Sequence, residues 1–278
     1  MAGPLFVATD LDGTLIRSDG TVSARTCQAL ARVEAAGSTV VFVTGRPTRV
    51  MADVVAQTGA SGLAICGNGA VTYNLDTGDV VEQHHLTAPA ALRLAAIIRR
   101  LMPEAAFAVE SGQRFGREPE FMTHWPDPGE LVGPLAELVD QLPVTKLLVR
   151  VAGRQPAPAP LSADRPSATA PFAEVWRQIA ELARDDAVVT TSSLDLVEIA
   201  GVGVSKASAL EGVVGARGGS AGDVIAFGDM PNDLPMLRWA GYAVAVANAH
   251  PDVLAAADEI TASNDEDGVA AVLERLFP

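Results

Sequence analysis

Four short apolar runs, each stopping at a cluster of polar residues, constrain this chain more than any other feature. The first covers residues 5–9 and ends in Asp10-Leu11-Asp12-Gly13-Thr14. The second covers 39–43 and ends in Thr44-Gly45-Arg46-Pro47, and the third covers 63–66 and ends in Gly67-Asn68-Gly69. The fourth, far downstream, covers 224–227 and ends in Gly228-Asp229, with Asn232 and Asp233 just beyond. Such runs read as strands buried on both faces. Between them, helical spacing predicts helices over 24–36 and 48–57, with Ser23 placed to cap the first and Gly37 to stop it. Strands alternating with helices imply a parallel sheet with right-handed crossovers, a Rossmann-like α/β core.

The rhythm changes after about residue 70. Residues 71–73 and 80–83 flank Asn74-Leu75-Asp76-Thr77-Gly78-Asp79 as a hairpin-like pair. A helix over 89–100, strands over 106–110 and 146–151, a helix over 171–184 and strands over 188–191 and 196–199 follow. Residues 154–171, rich in Pro, Ala and Ser, read as a surface loop. The first rhythm returns with a helix over 206–214, the strand over 224–227, a helix over 235–240, a strand over 242–246 and a closing helix over 268–277. The simplest architecture is a discontinuous core, residues 1–82 and 200–278, with an α+β domain over 83–199 inserted between its halves.

At 278 residues, with 49% hydrophobic and 19% charged side chains, the chain has the composition of a globular protein. Its net charge of -14 gives no electrostatic reason to bind nucleic acid or an anionic membrane. An anionic substrate would have to be captured by local cations, a metal or helix ends. Cys27 and Cys66 are too few for a disulfide scaffold and read as small buried residues. No apolar run reaches membrane-spanning length and no targeting segment is visible, so the cytoplasm is the expected location.

In open parallel sheets ligands bind at the carboxyl ends of the strands, so the four polar clusters should meet at one rim. Asp10 and Asp12, two apart, repel unless a cation lies between them. Mg²⁺, which takes a few carboxylate oxygens plus water and phosphate, meets that need, and Asp229 and Asp233 add negative charge from another strand end. Asp-Gly is also an ordinary turn signal, but the preceding buried strand and the second acidic cluster favour chemistry. Thr44 can donate to a phosphoryl oxygen and Gly45 can let backbone N–H groups approach it, although Gly45 and Pro47 also suit a plain strand-to-helix turn. Asn232 and Asp233 suit both site orientation and helix capping. Asn68 between two glycines fits a left-handed turn or a polar contact to substrate equally well. By spacing alone Lys206 reads as a solvated surface lysine. His84, His85, His124 and His250 lack any paired motif, and Trp125 and Trp176 read as packing residues.

With these residues in place, the sequence resembles the haloacid dehalogenase superfamily, specifically the Cof-type phosphatases with a large α/β cap. The resemblance rests on Asp10-Leu11-Asp12-Gly13-Thr14-Leu15, Val43-Thr44-Gly45-Arg46-Pro47 and Gly67-Asn68-Gly69-Ala70 in the first half. In the second half it rests on Glu198-Ile199 with Gly203-Val204-Ser205-Lys206, on the run from Gly228-Asp229 to Asn232-Asp233, and on Asn248 and Asn264 to Gly268 in the tail. Pro231 departs from the family's usual small or polar residue and lacks an N–H donor.

The resemblance implies a phosphatase acting on a small phosphate monoester, a sugar phosphate or a phosphorylated cofactor. Asp10 would attack phosphorus and become an aspartyl-phosphate, while Asp12 serves as general acid and then general base. Asp10, the backbone carbonyl of Asp12, Asp229 and, from further out, Asp233 would hold Mg²⁺. Thr44 and Lys206 would grip the phosphoryl oxygens, and Gly45, Arg46, Asn68 and Asn232 are the further candidates for substrate contact. A phosphosugar mutase would share the aspartyl-phosphate chemistry, and a binding module would keep the fold without turnover. In the inserted domain Glu110, Arg114, Arg117, Glu118 and His124 are candidates to face the substrate.

Overall fold

In the structure, a computed structural model, residues 5–123, 125–151, 173–193 and 196–278 are described. His124 and the 154–171 segment lie outside these residues, as does the start of the predicted 171–184 helix. The first half of the chain runs β1 (Phe6–Thr9), α1 (Ala24–Ala35), β2 (Thr39–Val43), α2 (Met51–Thr58), β3 (Leu63–Cys66), β4 (Val71–Asn74) and β5 (Val80–Gln83). The middle runs α3 (Ala88–Leu101), β6 (Ala105–Ser111), β7 (Arg114–Arg117), β8 (Leu131–Val132), α4 (Leu135–Gln141), β9 (Lys146–Val151), α5 (Ala173–Ala183), β10 (Val188–Ser193) and β11 (Leu196–Ala200). The last part runs α6 (Lys206–Gly215), β12 (Val224–Gly228), α7 (Leu234–Trp239), β13 (Tyr242–Ala245), α8 (Pro251–Ala256), β14 (Glu259–Ile260) and α9 (Gly268–Leu276).

Strands β1 and β12 are buried along their whole length because helices cover both faces of their sheet. That sheet has the order β14-β13-β12-β1-β2-β3-β4-β5. Its strands are parallel from β14 to β3, and the β4–β5 hairpin adds an antiparallel edge. From β1 the chain passes first to β2 on one side, and later to β12 on the other. This change of direction leaves a crevice at the carboxyl end of β1. Ser23 caps α1 by accepting from the Thr26 N–H, and Gly37, at φ +81°, follows the helix end. The predicted helix over 48–57 opens instead as a single 3₁₀ turn, Thr48–Val50, before α2.

The second sheet has the order β10-β11-β9-β6-β7-β8, antiparallel except for the β7–β8 pair. Side chains alternate across it with period two. One face carries Phe107, Val109, Leu147, Val149, Val197 and Ile199 into a core closed by α3, α4 and α5. The opposite face carries Ala106, Ala108 and Leu148, and at its end toward the first sheet the polar Glu110, Lys146 and Glu198.

This face docks on the rim of the parallel sheet. Thr48 Oγ1 donates to the Gly112 carbonyl at 2.8 Å, and Arg49 pairs with Glu110 at 2.9 Å. Among the insert's other polar candidates, Arg117 pairs with Glu130. Glu118 accepts from the Phe107 N–H and pairs with Arg99, and exposed Arg114 reaches the Gln141 carbonyl. Their partners lie within the inserted segment, so of the described candidates there only Glu110 meets the rim. No described helix is long and apolar enough to cross a membrane.

Candidate active site

The site is built at the carboxyl end of β1. Asp10 follows the buried strand directly, and its N–H donates to the Phe227 carbonyl of β12 at 3.0 Å. Its carboxylate Oδ1 accepts from Lys206 Nζ at 2.6 Å, and the same ammonium donates to Asp233 Oδ1 at 2.6 Å. Asp233 Oδ2 accepts the backbone N–H groups of Asp229 and Met230 at 3.1 and 2.9 Å, so this residue both caps its turn and faces Lys206. Asp229 Oδ1 accepts from the Thr14 hydroxyl at 3.0 Å.

Lys206 overturns the expectation of a solvated lysine, since it is 1% exposed. A lysine at the first turn of a helix opposes the helix dipole and loses hydration when buried. Two carboxylates at 2.6 Å compensate it. Gly69 makes that position reachable. At φ +104°, a Cβ there would sit 2.2 Å from the Ser205 carbonyl oxygen, so only glycine lets the start of α6 lie against the 67–69 turn. Gly228 does the same for Asp233, whose Cβ would be 2.6 Å from an added methyl.

Burial pushes the Asp10 carboxyl up to about 7. Lys206 draws it down, and the neighbouring Asp233 and Asp12 carboxylates add to the rise. For Lys206, burial works downward, but the Asp10 and Asp233 charges outweigh it and hold the ammonium above its ordinary range. Carboxylate oxygens of Asp10, Asp229 and Asp233 lie within 4.8 Å of one another. Three buried carboxylates against one ammonium leave an excess of negative charge, and hard oxygen donors at this spacing suit a hard divalent cation.

Asp12 stands apart from that cluster. Its carboxylate, nearly half exposed, is gripped by Arg46, whose Nη2 and Nε donate at 2.6 and 2.8 Å. Arg46 is thus engaged with Asp12, and its guanidinium lies 5.9 Å from the ring centre of Trp125. Trp125 is therefore a partly exposed rim residue rather than a core one. Thr44 is fully buried at the end of β2, where its hydroxyl accepts from the Arg46 N–H at 3.0 Å.

Asn68 takes the left-handed turn expected of it, and its polar contacts are to the protein's own side chains. It adopts the left-handed conformation at φ +60° and makes polar side-chain contacts, to Asn232 at 3.1 Å and to Glu198 at 3.1 Å.

The tail residues hold the turn that follows Asp12. Asn248 and Asn264 donate to the Gly13 and Ile16 carbonyls at 2.7 and 2.9 Å, and Asp267 takes both arms of Arg17.

A family model described as haloacid dehalogenase-like hydrolase matches residues 7–120 and 168–273, both parts of the site included. The chain belongs to the haloacid dehalogenase-like hydrolase family. Two relatives of this hydrolase match along nearly its whole length. One is the 5-amino-6-(5-phospho-D-ribitylamino)uracil phosphatase YitU of Bacillus subtilis, 28% identical, covering 99% of this chain and 98% of its own. The other is the pyridoxal phosphate phosphatase YbhA of Escherichia coli, 27% identical and covering 95% of each. A solved haloacid dehalogenase-like hydrolase from B. subtilis shares the fold, with a TM-score of 0.80 over 98% of this chain and 99% of that one, at 22% identity.

Three contributors to the hydrolase site escaped the sequence analysis. Thr14 and Gly69 stood inside quoted motifs, and only spatial neighbours revealed what they do. Lys146 had no local signal at all, being a lysine in a strand more than a hundred residues from Gly45, whose carbonyl it binds at 2.9 Å.

Proposed function

We propose that this chain is a magnesium-dependent phosphatase that hydrolyses a small phosphate monoester, a sugar phosphate or a phosphorylated cofactor, through an aspartyl-phosphate on Asp10. The observation that carries the reading is Asp10 itself: a buried carboxylate at a strand end, 2.6 Å from an ammonium and beside two further carboxylates. Asp10, Asp229 and Asp233, with the Asp12 carbonyl, would hold the cation. When bound, Mg²⁺ supplies positive charge to the transferring phosphoryl group.

In the first step an Asp10 oxygen bonds to phosphorus as the ester P–O bond breaks, and the Asp12 carboxyl gives its proton to the leaving oxygen. In the second, Asp12 takes a proton from water, which attacks phosphorus, frees inorganic phosphate and restores the Asp10 carboxylate. Lys206 and Thr44 hold the phosphoryl oxygens, so most of the barrier reduction comes from positioning and charge. Arg46 fixes the Asp12 carboxylate with two hydrogen bonds, which suits its role as base in the second step, and it must release an oxygen for Asp12 to carry the proton of the first. Residues 83–199 act as the cap over the core formed by 1–82 and 200–278.

The activities for which the two relatives are named, on a ribityl-aminouracil phosphate and on pyridoxal phosphate, support small monoesters as the substrate class. The test is a phosphate-release screen with Mg²⁺ over sugar phosphates, nucleotides, and flavin and pyridoxal phosphates. Turnover that drops on the order of 10³-fold or more in Asp10→Asn is expected. Wild-type turnover in that variant would refute the nucleophile. Conversion of a hexose 1-phosphate to its isomer without free phosphate would favour the mutase reading.

A further inference from the structure

Lys146 and Glu198 form a buried ion pair that the proposed chemistry leaves unused. They sit on neighbouring cap strands β9 and β11, 3% exposed each, with Lys146 Nζ 2.5 Å from Glu198 Oε1. A buried ion pair is poor value as a fold stabiliser, because apolar residues of like size usually serve a sheet as well or better. What distinguishes this pair is where its remaining hydrogen-bonding capacity goes. Both members reach across to the parallel sheet. Lys146 Nζ donates to the Gly45 carbonyl at 2.9 Å, and Glu198 Oε2 accepts from Asn68 Nδ2 at 3.1 Å.

Each contact lands on a turn that carries the site. Gly45 lies between Thr44 and Arg46, and Arg46 holds Asp12. Asn68 takes the Asn232 amide on its Oδ1 at 3.1 Å, and Asn232 adjoins Asp233, the partner of Lys206. The two turns are already joined within the core, where the Asn68 N–H donates to the Thr44 carbonyl at 2.9 Å. Glu198 also dictates which way two amides face. A carboxylate only accepts, so Asn68 must turn its NH₂ to Glu198 and its oxygen to Asn232.

We infer that Lys146 and Glu198 are positioning residues of the proposed phosphatase reaction. As one unit they bind the Gly45 carbonyl and the Asn68 amide, and so bring the Thr44–Arg46 and Asn68–Asn232 arms into register when the cap lies on the core. The inference rests on the phosphatase reading and adds to it a requirement located in the cap.

The decisive variant is the double exchange Lys146→Met with Glu198→Met. It removes both charges together and leaves neither unpaired, so its thermal midpoint should stay near wild type. Its kcat on the best substrate of the screen should fall at least about 10-fold, with KM changed much less, because the loss is in alignment and not in grip. Asn68→Gly gives a second arm that leaves the ion pair intact and suits the left-handed backbone. It should lower kcat as well, and combining it with the double exchange should cost less than the product of the two losses, since both remove the Glu198–Asn68 contact.

A double exchange that folds and turns over like wild type overturns the inference, as does full additivity with Asn68→Gly. Should the double exchange fail to fold, Asn68→Gly alone decides, and an unchanged kcat there overturns the inference. Lack of turnover by the wild-type protein across the whole screen would instead bring down the phosphatase reading.

Discussion

The molecule buries two lysines among carboxylates, and the contrast between them separates the proposed reaction centre from the inferred clamp. Lys206, in the core, faces Asp10 and Asp233 with Asp229 close by, so negative charge exceeds positive. Lys146, in the cap, is balanced by Glu198, and its neighbour Glu110 is balanced by Arg49. A cluster with surplus negative charge in a low-dielectric site needs a further cation. A neutral one is complete and can serve only to hold groups in place. Burial holds the Glu110 carboxyl above its ordinary range against the pull of Arg49 and Lys146. In the core burial likewise raises the Asp10 carboxyl against the pull of Lys206, and it stays near 7.

Exchanging each lysine for methionine should break the symmetry between them. Lys206→Met should cost about 10²–10³-fold in kcat, the loss typical of removing one charged donor from a transferring group. Wild-type phosphate release in this variant would erase the distinction between the two clusters. Lys146→Met should instead lower kcat much less than Lys206→Met does and also cost stability. It leaves Glu198 buried without its cation, at a cost of about 3 kcal/mol or more in urea unfolding, most of which returns when Glu198→Met is added. A loss that does not return would mean that the pair has a structural duty in the cap sheet.

Gly69→Ala tests the approach that buries Lys206. An added methyl meets the Ser205 carbonyl oxygen at 2.2 Å in a left-handed backbone, so about 1–3 kcal/mol of stability should be lost, together with activity. Retained stability in a denaturant titration would show that α6 can shift without disturbing the site.

The smallest effect is the dependence of metal stabilisation on pH. Asp10 has a folded-state carboxyl near 7 against an ordinary 3.8, so its proton favours the folded, metal-free protein. That contribution is full below the ordinary value and fades as pH rises through 7. Magnesium, which needs the carboxylate, should therefore raise the thermal midpoint by a few degrees more at about pH 8 than at about pH 5. Equal shifts at both would place the cation away from Asp10.

Much of the core was legible because its signals are local. Strands β2 and β3 matched the predicted runs to the residue, since a strand buried on both faces is an uninterrupted apolar word in the sequence. Ser23 and Gly37 marked the ends of α1 for reasons that lie within a few bonds. The cap was less readable. Strands β7 and β8 are short and form where neighbouring strands supply partners, while helix α4 shows helical spacing in Leu135, Leu138 and Val139 but is only seven residues long. Among polar candidates in the cap, Glu110 was named and does meet the rim, while Arg117 and Glu118 found partners within the cap. Composition cannot distinguish these cases, because each is a charged residue in a strand or beside one.

The sequence by itself determined that Asp10 stands at the end of a buried strand, that further polar clusters end neighbouring strands, and that the sheet is parallel. Hydrophobic period and turn chemistry are written over a few residues. Only the tertiary structure decided that Lys206 is buried against Asp10, which lies 196 residues away, and that Lys146 reaches back 101 residues to Gly45. A lysine's fate depends on what packs above it, and that depends on strand order and on one glycine without a side chain. The motif at Lys206 pointed to the site only through a resemblance, and no spacing rule around either lysine gives its burial or its partners.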